Sequence, residues 1–177
     1  MGLFDILNQY AQQQDRPPPE VLDDFDRVSQ EASPEDLSYG LEDAFQSDAT
    51  PPFEEMVGQL YENSDEDTRA GLLNEILGSL DGRGGALASG LGGGLAGGVL
   101  GGMLRRMGER NARVSPRDVR DIPARDIQVA TAEAARQNPS VVQTISRFYA
   151  RHPQLVQTLG QAALGILMSG MARRRRF

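Results

Sequence analysis

Ser33-Pro34-Glu35-Asp36-Leu37 is written as the start of a helix. The serine oxygen can accept an orphan backbone N–H, and a proline at the first helical position forgoes no hydrogen bond. The two acids stand where the helix dipole favours negative charge. The same grammar returns at Thr50-Pro51, Ser115-Pro116-Arg117-Asp118 and Asn138-Pro139, and with a poorer cap at His152-Pro153. Ser64 before Asp65-Glu66-Asp67 is another capping signature. Outward from these starts, the expected helices cover residues 2–14, 20–31, 34–46, 51–62, 65–80, 123–137, 139–151 and 153–174, with a short turn at 116–121. No run of alternating β-branched residues lies between hairpin turns, so the expected class is all-α.

Composition agrees. Aromatic content is 6% with no tryptophan, so a core must come from Leu, Val, Ile, Ala and Met, which suits helix packing. The absence of cysteine excludes disulfides, a thiolate nucleophile and Cys-based metal sites. Asp5 interrupts the start and no basic segment precedes an apolar run, so no secretory signal is expected. The net charge of −7 hides a division: 20 acids against four arginines up to residue 84 (−16), then five acids against 14 arginines (+9). There is no lysine, so all basic charge is guanidinium, which forks onto carboxylate or phosphate. The two halves would pair internally or head to tail between copies, or each would simply carry a solvated surface of one sign.

Between the halves, Gly90, Gly94, Gly98 and Gly102 recur at four-residue steps, with Gly93, Gly97 and Gly101 as a second row. Leu91, Leu95 and Val99 run between them. On a helix this sets bare backbone on one side and apolar side chains on the other, which suits close helix–helix contact. Residues 84–104 carry no charge and are near the ~20 residues needed to cross a bilayer. Residues 153–172 are also uncharged, and arginines follow each segment: Arg105 and Arg106, then Arg173, Arg174, Arg175 and Arg176 before Phe177.

Two arguments weigh against spanning. Ten of the 21 residues in 84–104 are glycine and only seven are Leu, Val or Met. A central leucine gains only about 0.3–0.6 kcal/mol on insertion, whereas each glycine weakens the helix by about 0.8–1.0 kcal/mol relative to alanine. Two consecutive spans would also put their arginine ends on opposite faces, against the positive-inside rule. Close packing is placed first for the glycine segment, a flexible linker second and membrane contact third. The arginine tail with Phe177 suits anionic lipid or a partner; nucleic acid fits poorly with an acidic chain lacking a recognition helix.

Chemistry is sparse. His152 stands at a helix junction with arginine and tyrosine as sequence neighbours, so a turn residue is expected rather than a base. Asp23-Asp24-Phe25-Asp26 and Asp65-Glu66-Asp67 lack the alternation and central glycine of a calcium loop. No phosphate-binding, dinucleotide or zinc-protease motif is present, and no cofactor, metal or small-molecule substrate is expected.

The halves resemble each other. Ser33-Pro34-Glu35-Asp36-Leu37 reads like Ser115-Pro116-Arg117-Asp118-Val119, and at an offset of 88 residues Val57, Leu60 and Tyr61 match Ile145, Phe148 and Tyr149. Duplication of a helical module would account for this, as would shared helix grammar. The opening Met1-Gly2-Leu3-Phe4-Asp5, the Ser-Pro-x-Asp starts, the block from Pro51 to Tyr61 and Arg147-Phe148-Tyr149-Ala150-Arg151-His152-Pro153 resemble YidB-like bacterial helical proteins. That resemblance implies a bacterial, helical, non-enzymatic protein and supplies no catalytic residues.

The expected organisation is an N-terminal stretch with a Pro-rich turn (1–32), an acidic helical module (33–82), a glycine-zipper-like segment (83–107) and a basic module with an arginine tail (108–177). The expected role is structural: self-association into a homo-oligomer, with Arg105, Arg106 and Arg110 meeting Asp65, Glu66 and Asp67. The alternative is a membrane-associated protein held by 83–107 or 153–172 plus the tail. The expected compartment is the bacterial cytoplasm, or the inner face of its membrane.

Overall fold

The computed structural model describes residues 2–12, 18–79, 102 and 113–174, and among these every regular element is helical. In chain order they are α1 (Leu3–Gln12), α2 (Val21–Glu31), α3 (Pro34–Phe45), α4 (Phe53–Glu62), α5 (Glu66–Ser79), α6 (Ala124–Gln137), α7 (Ser140–Tyr149), α8 (Pro153–Val156), a 3-10 turn (Gln157–Leu159) and α9 (Gln161–Arg174). The all-α class read from the sequence is the class observed, and residues 116–121 form turns as expected.

Local chemistry sets the helix starts, sometimes by a different residue from the one the sequence suggests. Ser33 lies in extended backbone and its Oγ accepts the Asp36 N–H at 3.2 Å, with Pro34 as the first residue of α3. Asn138 Oδ1 accepts the Ser140 N–H at 3.1 Å at the start of α7. Ahead of α5 the cap is Asp65, whose Oδ1 accepts the Thr68 N–H at 2.7 Å; the Ser64 hydroxyl instead donates back to Leu60 O at 2.6 Å. Thr50 does not cap α4 either. Its hydroxyl lies 2.7 Å from Ala44 O and 2.9 Å from Ser47 O, closing the turn after α3. Two consecutive prolines explain the shift: Pro52 steers Pro51 away from helical backbone, so α4 begins at Phe53. At Ser115 the expected cap is reversed, because its N–H and Oγ both donate to the Asp118 carboxylate, at 2.9 and 2.6 Å.

The chain divides into two units, Met1–Met56 with Ser146–Phe177, and Val57–Ile145. In the first, α9 packs on α3 most extensively, then on α1 and α2. Leu164, Leu167, Met168 and Met171 of α9 have no exposed surface. Side chains of this kind contribute about 1.5–3 kcal/mol each when fully buried. Gly160, between the 3-10 turn and α9, has φ +88°, a left-handed conformation that favours glycine.

In the second unit, the described stretch beginning at Arg113 is tied to α4 and α5. Tyr61, 1% exposed, directs its hydroxyl to Val119 O at 3.1 Å and Ile122 O at 3.3 Å. The Arg69 guanidinium donates to Tyr61 O at 2.9 Å and Glu62 O at 2.8 Å and lies 4.9 Å from the Tyr61 ring centroid. The last carbonyls of α4 and the buried carbonyls of Val119 and Ile122 thereby gain partners.

Candidate interaction surfaces

Where α9 meets α3, glycine permits backbone contact. A Cβ on Gly40 would stand 2.6 Å from Leu167 O, and one on Gly170 would stand 2.5 Å from Asp43 Oδ2. Small residues at such positions let helices approach closely. The Ser169 hydroxyl joins this seam, 2.8 Å from Tyr10 O and 2.9 Å from its own Gly165 O.

The same approach carries the end of α9 onto an acidic stripe. Glu35, Tyr39 and Asp43 are spaced four apart and so share one face of α3. Arg173 donates to Asp43 Oδ2 at 2.8 Å. Arg174 donates to Glu35 O at 3.1 Å, has the Glu35 carboxylate at 4.0 Å and lies 5.3 Å from the Tyr39 ring centroid. These side chains are substantially open to water, Arg173 50% and Glu35 84% exposed. Each pair is therefore worth only about 0–1 kcal/mol and weakens with salt.

In the second unit, two asparagines hold the residues on either side of the glycine-rich run. Asn74 of α5 donates through Nδ2 to Val114 O at 3.0 Å and accepts the Val114 N–H on Oδ1 at 2.9 Å. Asn138 donates to Ser79 O at 2.6 Å. Ser79 and Val114 are thus anchored within the same unit.

Gly90, Gly93, Gly94, Gly97, Gly98, Gly101, Leu91, Leu95 and Val99 lie outside the described residues, as do Arg105, Arg106, Arg110, Arg175, Arg176 and Phe177. Gly102 is described, and among the described residues nothing lies within 4 Å of where its Cβ would stand. Of the three acids paired with arginine in the sequence reading, Asp65 caps α5 and Glu66 has Arg120 Nε at 2.8 Å within its own unit. Asp67 is exposed.

The stripe on α3 and the two asparagines were absent from the expected site residues. The four-residue spacing of Glu35, Tyr39 and Asp43 was the available signal for the first. A lone asparagine among the apolar residues of α5 was the signal for Asn74.

Little of the described surface offers chemistry. His152 immediately precedes α8, donates its backbone N–H to Tyr149 O at 2.8 Å and sets its ring 5.2 Å from that of Phe148. Among the described residues no group of three or more acids or histidines is placed to hold a metal ion. A cleft of about 120 Å³ between α1 and α2 is lined by Leu3, Ile6, Arg27, Val28, Gln30 and Glu31. That is well below the roughly 300–1,000 Å³ of small-molecule sites. Tyr10 has no exposed surface, and its hydroxyl donates to Asp24 at 2.8 Å. Burial first, then that hydrogen bond and the charges of Asp24 and Glu20, push the phenol well above its ordinary range. No family model matches the chain, and no match was found among the curated proteins or the solved structures.

Proposed function

We propose that the protein is a non-enzymatic interaction protein of the bacterial cytoplasm that self-associates through its glycine-zipper-like segment, residues 83–107. One observation carries this reading into the fold. Asn74 and Asn138 hold Val114 and Ser79, the described residues on either side of the segment, in a single unit. Its glycine rows give another copy a surface without side chains. Arg105, Arg106 and Arg110 would meet acids of a second copy. The exposed Asp67 is better placed for this than Glu66, which already faces Arg120. The YidB-like resemblance supports the bacterial, non-enzymatic part of this reading.

Replacing Gly94 and Gly98 together by leucine tests this. The expected outcome is a lower solution mass by light scattering with an unchanged helical circular dichroism spectrum. An unchanged mass counts against the glycine contact.

Among the described residues, the membrane-associated alternative keeps support from Arg173 and Arg174 alone. Residues 153–172 comprise α8, a 3-10 turn and most of α9, and no described helix is long and apolar enough to cross a membrane. Release of the protein from a membrane fraction by salt would identify electrostatic docking, and a need for detergent would identify insertion.

A further inference from the structure

The C-terminal arginines have an intramolecular partner of the kind an anionic surface would supply. A guanidinium keeps its charge at every physiological pH, so Arg173 and Arg174 must face either water or an anion. On α3 they find the Asp43 carboxylate, the Glu35 carbonyl and carboxylate, and the Tyr39 ring. We propose that the Glu35–Tyr39–Asp43 stripe is a holding surface that competes with anionic lipid for these arginines, so that the protein restrains its own docking to a membrane.

Magnitudes make the competition balanced. Each exposed ion pair on α3 shifts an equilibrium by at most about fivefold. Each basic residue beside an anionic leaflet strengthens binding by about fivefold. A tail held by two such contacts exchanges readily, and Arg175, Arg176 and Phe177 follow directly in the sequence to strengthen the membrane side. An aromatic residue suits the membrane–water interface, which favours lipid over nucleic acid as the competitor. The charge of the unit opposes any anionic surface lying flat along it, lipid or nucleic acid alike, so the contact is confined to the tail. Met1–Met56 with Ser146–Phe177 holds 14 acids against eight arginines, for a net −6. The proposal develops the membrane alternative and does not rest on self-association through the glycine segment.

The test is co-sedimentation of the full-length protein with vesicles of phosphatidylcholine and phosphatidylglycerol at low salt. Asp43→Asn with Glu35→Gln keeps side-chain shape and removes the competitor. It should raise the vesicle-bound to free ratio by about threefold to tenfold, since two weak pairs together approach one decade in an equilibrium constant. Replacing all four tail arginines with glutamine should abolish the gain. Asp23→Asn with Glu31→Gln on α2 changes net charge equally away from the stripe and should leave binding near wild type. Should the double α3 variant fold poorly by circular dichroism, Glu35→Gln alone, at a side chain 84% exposed, must still raise binding.

The proposal is overturned if the α3 variants bind no better than wild type or if the α2 control gains as much. It also fails if the gain survives loss of the arginines or appears equally on pure phosphatidylcholine. A gain seen only with single-stranded DNA would assign the tail to nucleic acid instead.

Discussion

Tyr10 has no exposed surface, donates its hydroxyl to Asp24 at 2.8 Å and offers its carbonyl to Ser169 at 2.8 Å. Burial and the acidic neighbours favour the neutral phenol, so its folded value lies above the ordinary 10.0. A group raised in this way binds its proton more tightly in the native state than in the unfolded chain. Its contribution is present in full below pH about 10 and declines as the pH climbs beyond that. Tyr61, raised mainly by burial, acts in the same direction. Thermal unfolding followed by circular dichroism should therefore show a stable midpoint through neutral pH and a fall in the alkaline range. Tyr10→Phe should cost about 0.5–1.5 kcal/mol near neutrality, the usual net value of a hydrogen bond, and should shrink the alkaline fall without removing it. An alkaline fall as large in Tyr10→Phe as in wild type would show that Tyr10 ionisation does not limit stability there.

At the level of elements, the α3–α9 seam holds two close-approach glycines, and at Gly40 the neighbour is backbone that cannot easily yield. Because a Cβ on Gly40 would press on the Leu167 backbone oxygen at 2.6 Å, Gly40→Ala must displace α9 itself. The expected cost is about 1–3 kcal/mol, the range for overpacking a filled site. Gly78 near the end of α5 is the counter-example, with nothing described within 4 Å of its Cβ position. There alanine should stabilise by about 0.5–1 kcal/mol, because the helix loses its entropic burden without a clash. Urea unfolding of the two variants should move in opposite directions; a shared sign would refute the packing account. The helices themselves were legible in the sequence because capping and proline placement act within four residues. The identity of the capping atom was less so. Ser64 and Thr50 have the right chemistry, yet their hydroxyls found preceding carbonyls while Asp65 and Pro51-Pro52 set the helix starts. The physical idea that glycine marks close helix contact was also legible from the rows at 90–102. Its described instance joins Gly40 to a helix some 130 residues further on, a pairing that no local period encodes.

For the whole molecule, the division of charge along the chain becomes a different division in space. The linear halves carry −16 and +9, whereas the two units carry −6 and −1, the second from 11 acids against ten arginines. The C-terminal segment returns to the N-terminal helices, and its six arginines join an acid-rich set. Composition alone could reveal the imbalance but not which acids would receive the tail, because that follows from the burial of α9. Nine of its 14 residues are buried, from Ala163 to Ala172, and its main partners are α3, α1 and α2. Deleting residues 161–177 should therefore expose the apolar faces of those three helices, while α5 and α6 lie wholly within Val57–Ile145 and keep their own buried residues. Hydrogen exchange read by mass spectrometry should show lost protection in peptides covering Leu3–Gln12, Val21–Glu31 and Pro34–Phe45, with α5 and α6 retaining theirs. Full protection of the N-terminal helices after the deletion would mean that they fold without α9, and the docking of the arginines on α3 would then be a surface accident rather than a consequence of the core beneath it.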